Sequence, residues 1–433
     1  MRAVRFRRGA QIRNCGPLRR RYWRLRAGRS CVTLAGKPLS PQEETRHFKL
    51  IGATGAGKST AIHELLSRAL RRGDRAVIAD PDGGYRQRFF DSWRGDAVLN
   101  PFEPGAVKWN PFAELCSPGD SDHLAGALVA SSGDASANEW RGYARVFLSA
   151  ILDRCARGGC ADIGKLWQLL AIAGGDELRP LLAGTPAQPF LQPENTRMFG
   201  SIRSVAVASL RALEHVRVQR GRPFSVRDWV RHGSGVLFMP YAARQIAALR
   251  TLIASWLELA IFEALSQPEG VDQRLWFVVD ELDALGQIDG LKDALARLRK
   301  FGGRCVLGFQ SIAQVSGTYG PGVAQTLVEN CGNTLVLRCS GSEHGGTSQF
   351  ASRLIGDREL VRRQRSRGRD GAGALFAAGA RRSTQVSEQS VIEPAVLAAE
   401  LEQLPDLTGY LKTASAPAWH RVRMRRPLPG RPA

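Results

Sequence analysis

The chain has 433 residues, 43% of them hydrophobic, and a formal net charge of +21. At ~150 residues per domain that length holds two or three domains with a sizeable core, which excludes a disordered tail or a small disulfide scaffold. The charge favours polyanionic partners, but 53 of the 61 basic residues are arginine, a skew that a GC-rich genome produces without any nucleic-acid role.

Distribution of charge says more than its total. Residues 1–29 form a basic segment: the first 30 residues carry eleven arginines and no acidic residue, interleaved with Phe6, Tyr22 and Trp23. Such a run binds phosphates by counterion release, or the headgroups of an anionic membrane surface. Residues 47–51 predict a short strand, and residues 59–72 a helix with Ala61, Ile62, Leu65, Leu66, Ala69 and Leu70 on one face and Gly73 as its stop. Between them stands Gly52-Ala53-Thr54-Gly55-Ala56-Gly57-Lys58-Ser59, the G-x-x-x-x-G-K-[ST] cradle of P-loop nucleoside triphosphatases. Its glycines let backbone N–H groups approach phosphates, and the helix N-terminus adds a positive dipole end. This set, with Thr60, predicts an ATP site: Lys58 reaches the β- and γ-phosphates and the Ser59 hydroxyl ligates Mg²⁺.

The Asn110-Pro111 turn opens a helical segment over 114–218. Trp140, Tyr143, Ala144, Phe147, Leu148 and Ile151 share one face there, and Leu166, Leu169 and Leu170 begin another stripe. Residues 114–193 hold nine acidic and six basic residues, which makes the segment a poor DNA grip. Contact with a protein substrate and a rigid spacer both fit it. A strand over 235–240 then returns the chain to the sheet.

The unbroken apolar run Leu275-Trp276-Phe277-Val278-Val279 reads as a strand buried on both faces of a parallel sheet. It ends in Asp280-Glu281, a Walker B pattern in which Asp280 holds the Mg²⁺ water shell and Glu281 polarises the attacking water. A further strand over 304–309 precedes Gln310, which either senses the γ-phosphate or caps the helix that follows. Six arginines between 358 and 369 make a second basic cluster, and Arg421, Arg423, Arg425 and Arg426 a third. Residues 366–390, rich in Ser, Gly, Ala and Arg and including 372–380, read as a mobile loop with no core of its own. The eight cysteines show neither C-x-x-C pairs nor histidines at zinc spacing, as expected of reduced structural thiols in a cytoplasmic protein.

The string Glu44-Thr45-Arg46-His47, the P-loop, Val77 through Gly83, Asn100-Pro101, Leu275 through Leu282, Arg299 through Gly303, Gly308 through Ser311 and Leu404-Pro405-Asp406-Leu407 together resemble the type IV coupling proteins of bacterial conjugation. The resemblance keeps the same order from about residue 30 to residue 423. It implies an α/β fold: a RecA-like P-loop NTPase domain with a mostly parallel sheet (30–113 and 219–423), interrupted by an all-α domain (114–218) and followed by a tail (424–433). It also implies a homo-hexameric ATPase that moves DNA towards a type IV secretion channel, with relaxase and channel proteins as partners. Family members usually begin with transmembrane helices, whereas residues 1–49 hold no apolar run near the ~20 residues a span needs. The expectation is therefore a cytoplasmic engine lacking its anchor, working at the inner face of the bacterial inner membrane, with the N-terminal run facing lipid rather than DNA. In the family an arginine finger follows the strand after the sensor glutamine; that position falls near Gly341, and Arg338 is the nearest substitute. Arg338 also reads as a strand-end arginine in solvent. Two other functions remain open: a related ring ATPase that remodels or exports protein without DNA, and a DNA-binding adaptor that uses ATP only as a switch.

Overall fold

A computed structural model describes residues 3–28, 30–131, 135–270, 272–342, 345–369 and 382–426. Its strands are β1 (Ala3–Gly9), β2 (Ile12–Asn14), β3 (Thr33–Leu34), β4 (Lys37–Pro38), β5 (Phe48–Ile51), β6 (Arg75–Pro81), β7 (Ala97–Val98), β8 (Lys108–Trp109) and β9 (Pro223–Phe224). They continue with β10 (Val236–Tyr241), β11 (Leu275–Val279), β12 (Gly303–Phe309), β13 (Asn333–Val336), β14 (Asp357–Arg369), β15 (Arg382–Pro394), β16 (Thr408–Lys412) and β17 (Trp419–Arg423).

Among the described residues ten strands form one sheet in the order β2-β17-β16-β13-β5-β12-β11-β6-β10-β7. From β13 to β7 every neighbour is parallel, while β16 and β17 turn antiparallel and β2 closes the edge. All five residues of β11 are buried, because a parallel sheet is covered on both faces. Alternate residues face opposite layers. Ala76 and Ile78 pack with Ala61, Ile62, Leu65 and Leu66 of the P-loop helix; Val77 and Ala79 pack towards the helix Ile246–Leu265. Each such fully buried Val or Leu contributes about 1.5–3 kcal/mol.

The helical insertion leaves and re-enters the sheet through a narrow stem, where β8 and β9 pair in parallel. Glu114 is wholly buried there and accepts from Trp109 Nε1 (2.8 Å), Ser225 Oγ (2.9 Å) and the amides of Val226 (2.7 Å) and Arg227 (3.1 Å). Ala144, Phe147, Leu148 and Ile151 of the long helix Ala135–Arg157 are buried, and they belong to the same apolar cluster as Val77, Leu237 and Met239 of the sheet. The lobe therefore shares its core with the sheet.

Two expectations need correction. Residues 366–369 and 382–390 are not a loop but arms of the β14–β15 hairpin, paired from Asp357↔Pro394 to Arg369↔Arg382. Their stability comes from a ladder to a partner strand, which local composition does not reveal; residues 372–380 lie outside the described residues. The N-terminal segment is likewise integrated rather than separate. β2 extends the main sheet, and β1 pairs with β14 in a three-stranded sheet that joins the first two arginine clusters. Several of those arginines are ion-paired: Arg7 and Arg8 hold Glu359 (2.8 and 2.5 Å), Arg358 and Arg362 hold Glu393 (both 2.8 Å), and Arg363 holds Glu388 (2.5 Å). The side chains of Arg365, Arg367 and Arg369 lie outside the described residues.

Candidate active site

The C-terminal ends of the parallel strands meet at one edge, where ligands of open α/β sheets bind. β5 delivers the P-loop there, and the loop is clamped from behind. Gly52 N donates to Phe309 O (3.1 Å), Ala53 N to Arg338 O (2.7 Å) and Leu407 N to Ala56 O (3.0 Å). Gly55 and Gly57 take φ values of 75° and 117°, the region that favours glycine. A Cβ at Gly57 would also lie 2.7 Å from Leu407 Cδ2, and one at Gly52 would lie 2.9 Å from Leu337 Cβ. Lys58 opens the helix Lys58–Arg71 with its Nζ 2.7 Å from Gly52 O, so the ammonium is folded back over the loop. Burial lowers its pKa, against the opposing pull of Asp280 and Glu281.

The acidic half of the site comes from β11. Asp280 Oδ2 accepts from Ser59 Oγ (2.6 Å) and from the buried Tyr85 hydroxyl (2.7 Å). Its Oδ1 is buried with no protein partner. Ser59 and Asp280 are thus the oxygen pair on which a hydrated Mg²⁺ fits, since Mg²⁺ keeps most of its waters and takes few protein ligands. No group of three or more His, Cys, Asp or Glu among the described residues is placed to hold a metal. Approach of β12 to β11 depends on Gly308, where a Cβ would lie 1.9 Å from Asp280 O. Glu281 beside it has its pKa raised, first by burial and then by Asp280 and Asp283, which makes the carboxylate a better proton acceptor.

Gln310 bridges the two halves. Its Nε2 donates to Glu281 Oε1 (2.7 Å) and its Oε1 accepts from Thr54 Oγ1 (3.0 Å). Ser311, not Gln310, is the N-cap of the helix Ile312–Tyr319. Arg338 follows β13 and pairs with Asp406 of its own chain (2.8 Å). Gly341 lies against Glu402, whose Oε1 would be 2.3 Å from a Cβ there. Thr60 lines, with His63, a cavity along the P-loop helix. Tyr85, Tyr241 and Leu407 were not legible as site residues. Tyr85 N and Arg86 N donate to Asp80 (2.9 and 2.7 Å), which fixes Tyr85 under Asp280; Tyr241 leaves a buried, unpartnered hydroxyl near the acidic cluster.

A family model for the type IV secretion-system coupling protein DNA-binding domain matches residues 31–425. The chain is 29% identical over 392 residues to the coupling protein TraD of Escherichia coli (strain K12), covering 88% of this chain and 53% of that one. It is 22% identical over 380 residues to the protein VirD4 of Rhizobium radiobacter, covering 80% and 54%. The chain thus spans about half the length of the curated relatives it matches. In three dimensions it is similar to the bacterial conjugative coupling protein TrwBdeltaN70, with a TM-score of 0.85, 33% identity and coverage of 98% and 94%. The plasmid coupling protein TrwB in complex with ADP and Mg²⁺ is similar at a TM-score of 0.84 and 32% identity, with coverage of 99% and 95%.

Proposed function

This chain belongs to the type IV secretion-system coupling protein family, and we propose that it is an ATP-hydrolysing motor that moves DNA, bare or relaxase-bound, towards a type IV secretion channel during conjugation. One observation carries the hydrolytic half. The hydrogen-bonded series Thr54–Gln310–Glu281 joins the phosphate cradle to the Walker B base, so a change at the γ-phosphate is felt by the residue that activates water and by the strand β12 behind it. The DNA half rests on the match to the family's DNA-binding domain.

In this reading the P-loop amides and Lys58 hold the phosphates, and Ser59 and Asp280 hold Mg²⁺. The ion, when bound, neutralises charge on the β- and γ-phosphoryl oxygens. Glu281 orients and polarises the attacking water, and Gln310 passes the state of the site on. The active form is a homo-hexamer in which Arg338 leaves Asp406 and reaches the neighbouring site. The place of work is the cytoplasmic face of the bacterial inner membrane; no described helix is long and apolar enough to cross a membrane.

Steady-state ATP hydrolysis against DNA, at several salt concentrations and with sedimentation to follow assembly, tests the reading. Turnover should rise with protein concentration and with DNA. Each Arg–phosphate contact should add ~0.7–0.9 to the log–log slope of affinity on salt. Turnover indifferent to DNA at low salt, in assembled protein, favours protein remodelling instead. Tight ATP binding with negligible turnover favours the switched adaptor.

A further inference from the structure

The outer face of the P-loop helix walls a cavity of about 710 Å³, within the range that small-molecule sites occupy. It begins at Thr60 and His63 and continues past Ser67 to Arg71, with Trp23 and Met424 supplying apolar wall. Six of its sixteen lining residues are arginine (Arg68, Arg71, Arg88, Arg423, Arg425 and Arg426). Arginine makes up 53 of the 433 residues, so the lining is enriched about threefold over even this arginine-rich chain.

The charges in the cavity are unbalanced. Its one carboxylate, Glu64, is taken by Thr33 Oγ1 (2.6 Å) and Gly36 N (2.8 Å). Arg68 reaches only a carbonyl, Gly28 O at 3.5 Å, and Arg71 Nε turns back to Ser67 O at 2.7 Å. Among the described residues none of the six guanidiniums is ion-paired. Arg88 Nε and His63 Nε2 are buried with no partner. Like charges gathered in a partly enclosed space repel unless an anion sits between them, and guanidinium forks match phosphate oxygens best.

Thr60 follows the Mg²⁺ serine, so the cavity begins one residue beyond the proposed phosphate cradle. Eleven residues separate Thr60 from Arg71, about 16 Å along the helix axis, further than one nucleoside extends. We propose that the far end of the cavity, at Arg68 and Arg71, is a phosphate site that takes a second phosphoryl group while the P-loop holds the first. At that distance the group belongs to a separate inorganic polyphosphate, because a phosphate on the sugar of a P-loop-bound nucleotide falls short of these arginines. Simultaneous occupancy of the P-loop rests on the nucleotide reading above; the anion site itself does not.

Calorimetric titration of the whole chain tests this. ADP is titrated first, then pyrophosphate into ADP-saturated protein, each on wild type and on Arg68→Gln/Arg71→Gln. Pyrophosphate should bind beside ADP, and the double variant should bind it about tenfold more weakly or worse, the effect of losing one charge-assisted phosphate contact, while keeping its ADP affinity. The proposal is overturned if pyrophosphate does not bind beside ADP. It is equally overturned if the arginine substitutions leave pyrophosphate affinity unchanged. Failure of ADP itself to bind would sink the nucleotide reading alone, since pyrophosphate binding compared between wild type and the double variant still decides the anion site. Should the double variant fail to fold by circular dichroism, Arg71→Gln, at an exposed helix position, serves in its place.

Discussion

At Lys58 and Glu281 the proposed mechanism gives two neighbouring charges different tasks, and they face different partners. Lys58 sits over the loop carbonyls, where the proposed mechanism places the phosphates; Glu281 faces Gln310 rather than the loop. Lys58→Ala should therefore remove most ATP affinity. Glu281→Gln should keep binding and lose turnover, because only water activation goes. Nucleotide affinity and steady-state hydrolysis of both variants check this, and an equal loss of affinity in the two contradicts the division of roles. These residues were legible in sequence because the P-loop and Walker B chemistries fix residue types at short spacing. Tyr85 was not, because it meets Asp280 only through a contact spanning 195 residues, and an aromatic residue after a strand carries no local sign of that use. The role of Asp406 was hidden for the same reason: its partner is Arg338.

At the scale of elements, the strand runs were legible where burial on both faces makes them continuously apolar, as in β11. The β14–β15 hairpin was missed because its ladder, not its composition, holds it. The string Glu44 through His47 has a structural task that local reading does not show. Glu44 is buried and accepts from Arg72 Nη1 and Nη2 (2.9 and 2.7 Å) and from Arg304 Nε (3.2 Å). Arg304 in turn holds Asp272 (2.8 Å) and lies 5.8 Å from the centre of the Trp276 ring. Through this network the approach to β5, the end of the P-loop helix and β12 are tied together beneath the site. Glu44→Ala leaves buried guanidinium charge short of a partner and should cost about 3 kcal/mol of stability. The midpoint of urea unfolding measures it. A loss below about 1 kcal/mol would mean that Asp74 and Asp272 suffice for these arginines.

At the scale of the whole molecule, the resemblance in ordered motifs already gave the RecA-like frame, whereas the strand order and the joining of two arginine clusters into one sheet depend on distant pairing and had no local signal. In the proposed ring, Arg338 is the candidate finger. Its pair with Asp406 is 36% and 49% exposed, and exposed pairs of this kind are worth about 0.2–1 kcal/mol, little enough to be exchanged for a neighbour's phosphate. Arg338→Ala should leave ATP affinity nearly intact and lower turnover ~10³-fold or more. Mixing it with Glu281→Gln should restore part of the rate, because intact halves of two sites then meet at one interface. Wild-type turnover by Arg338→Ala in the assembled ring would place the finger elsewhere.

Movement of DNA is the central claim, and strand displacement measures it more directly than hydrolysis. A duplex carrying a bound third strand is incubated with assembled protein, and release of the third strand is followed with ATP, with a non-hydrolysable analogue and with Glu281→Gln protein. A motor releases the third strand only as wild type with ATP. DNA-stimulated hydrolysis without release, or release by Glu281→Gln, would contradict translocation along DNA.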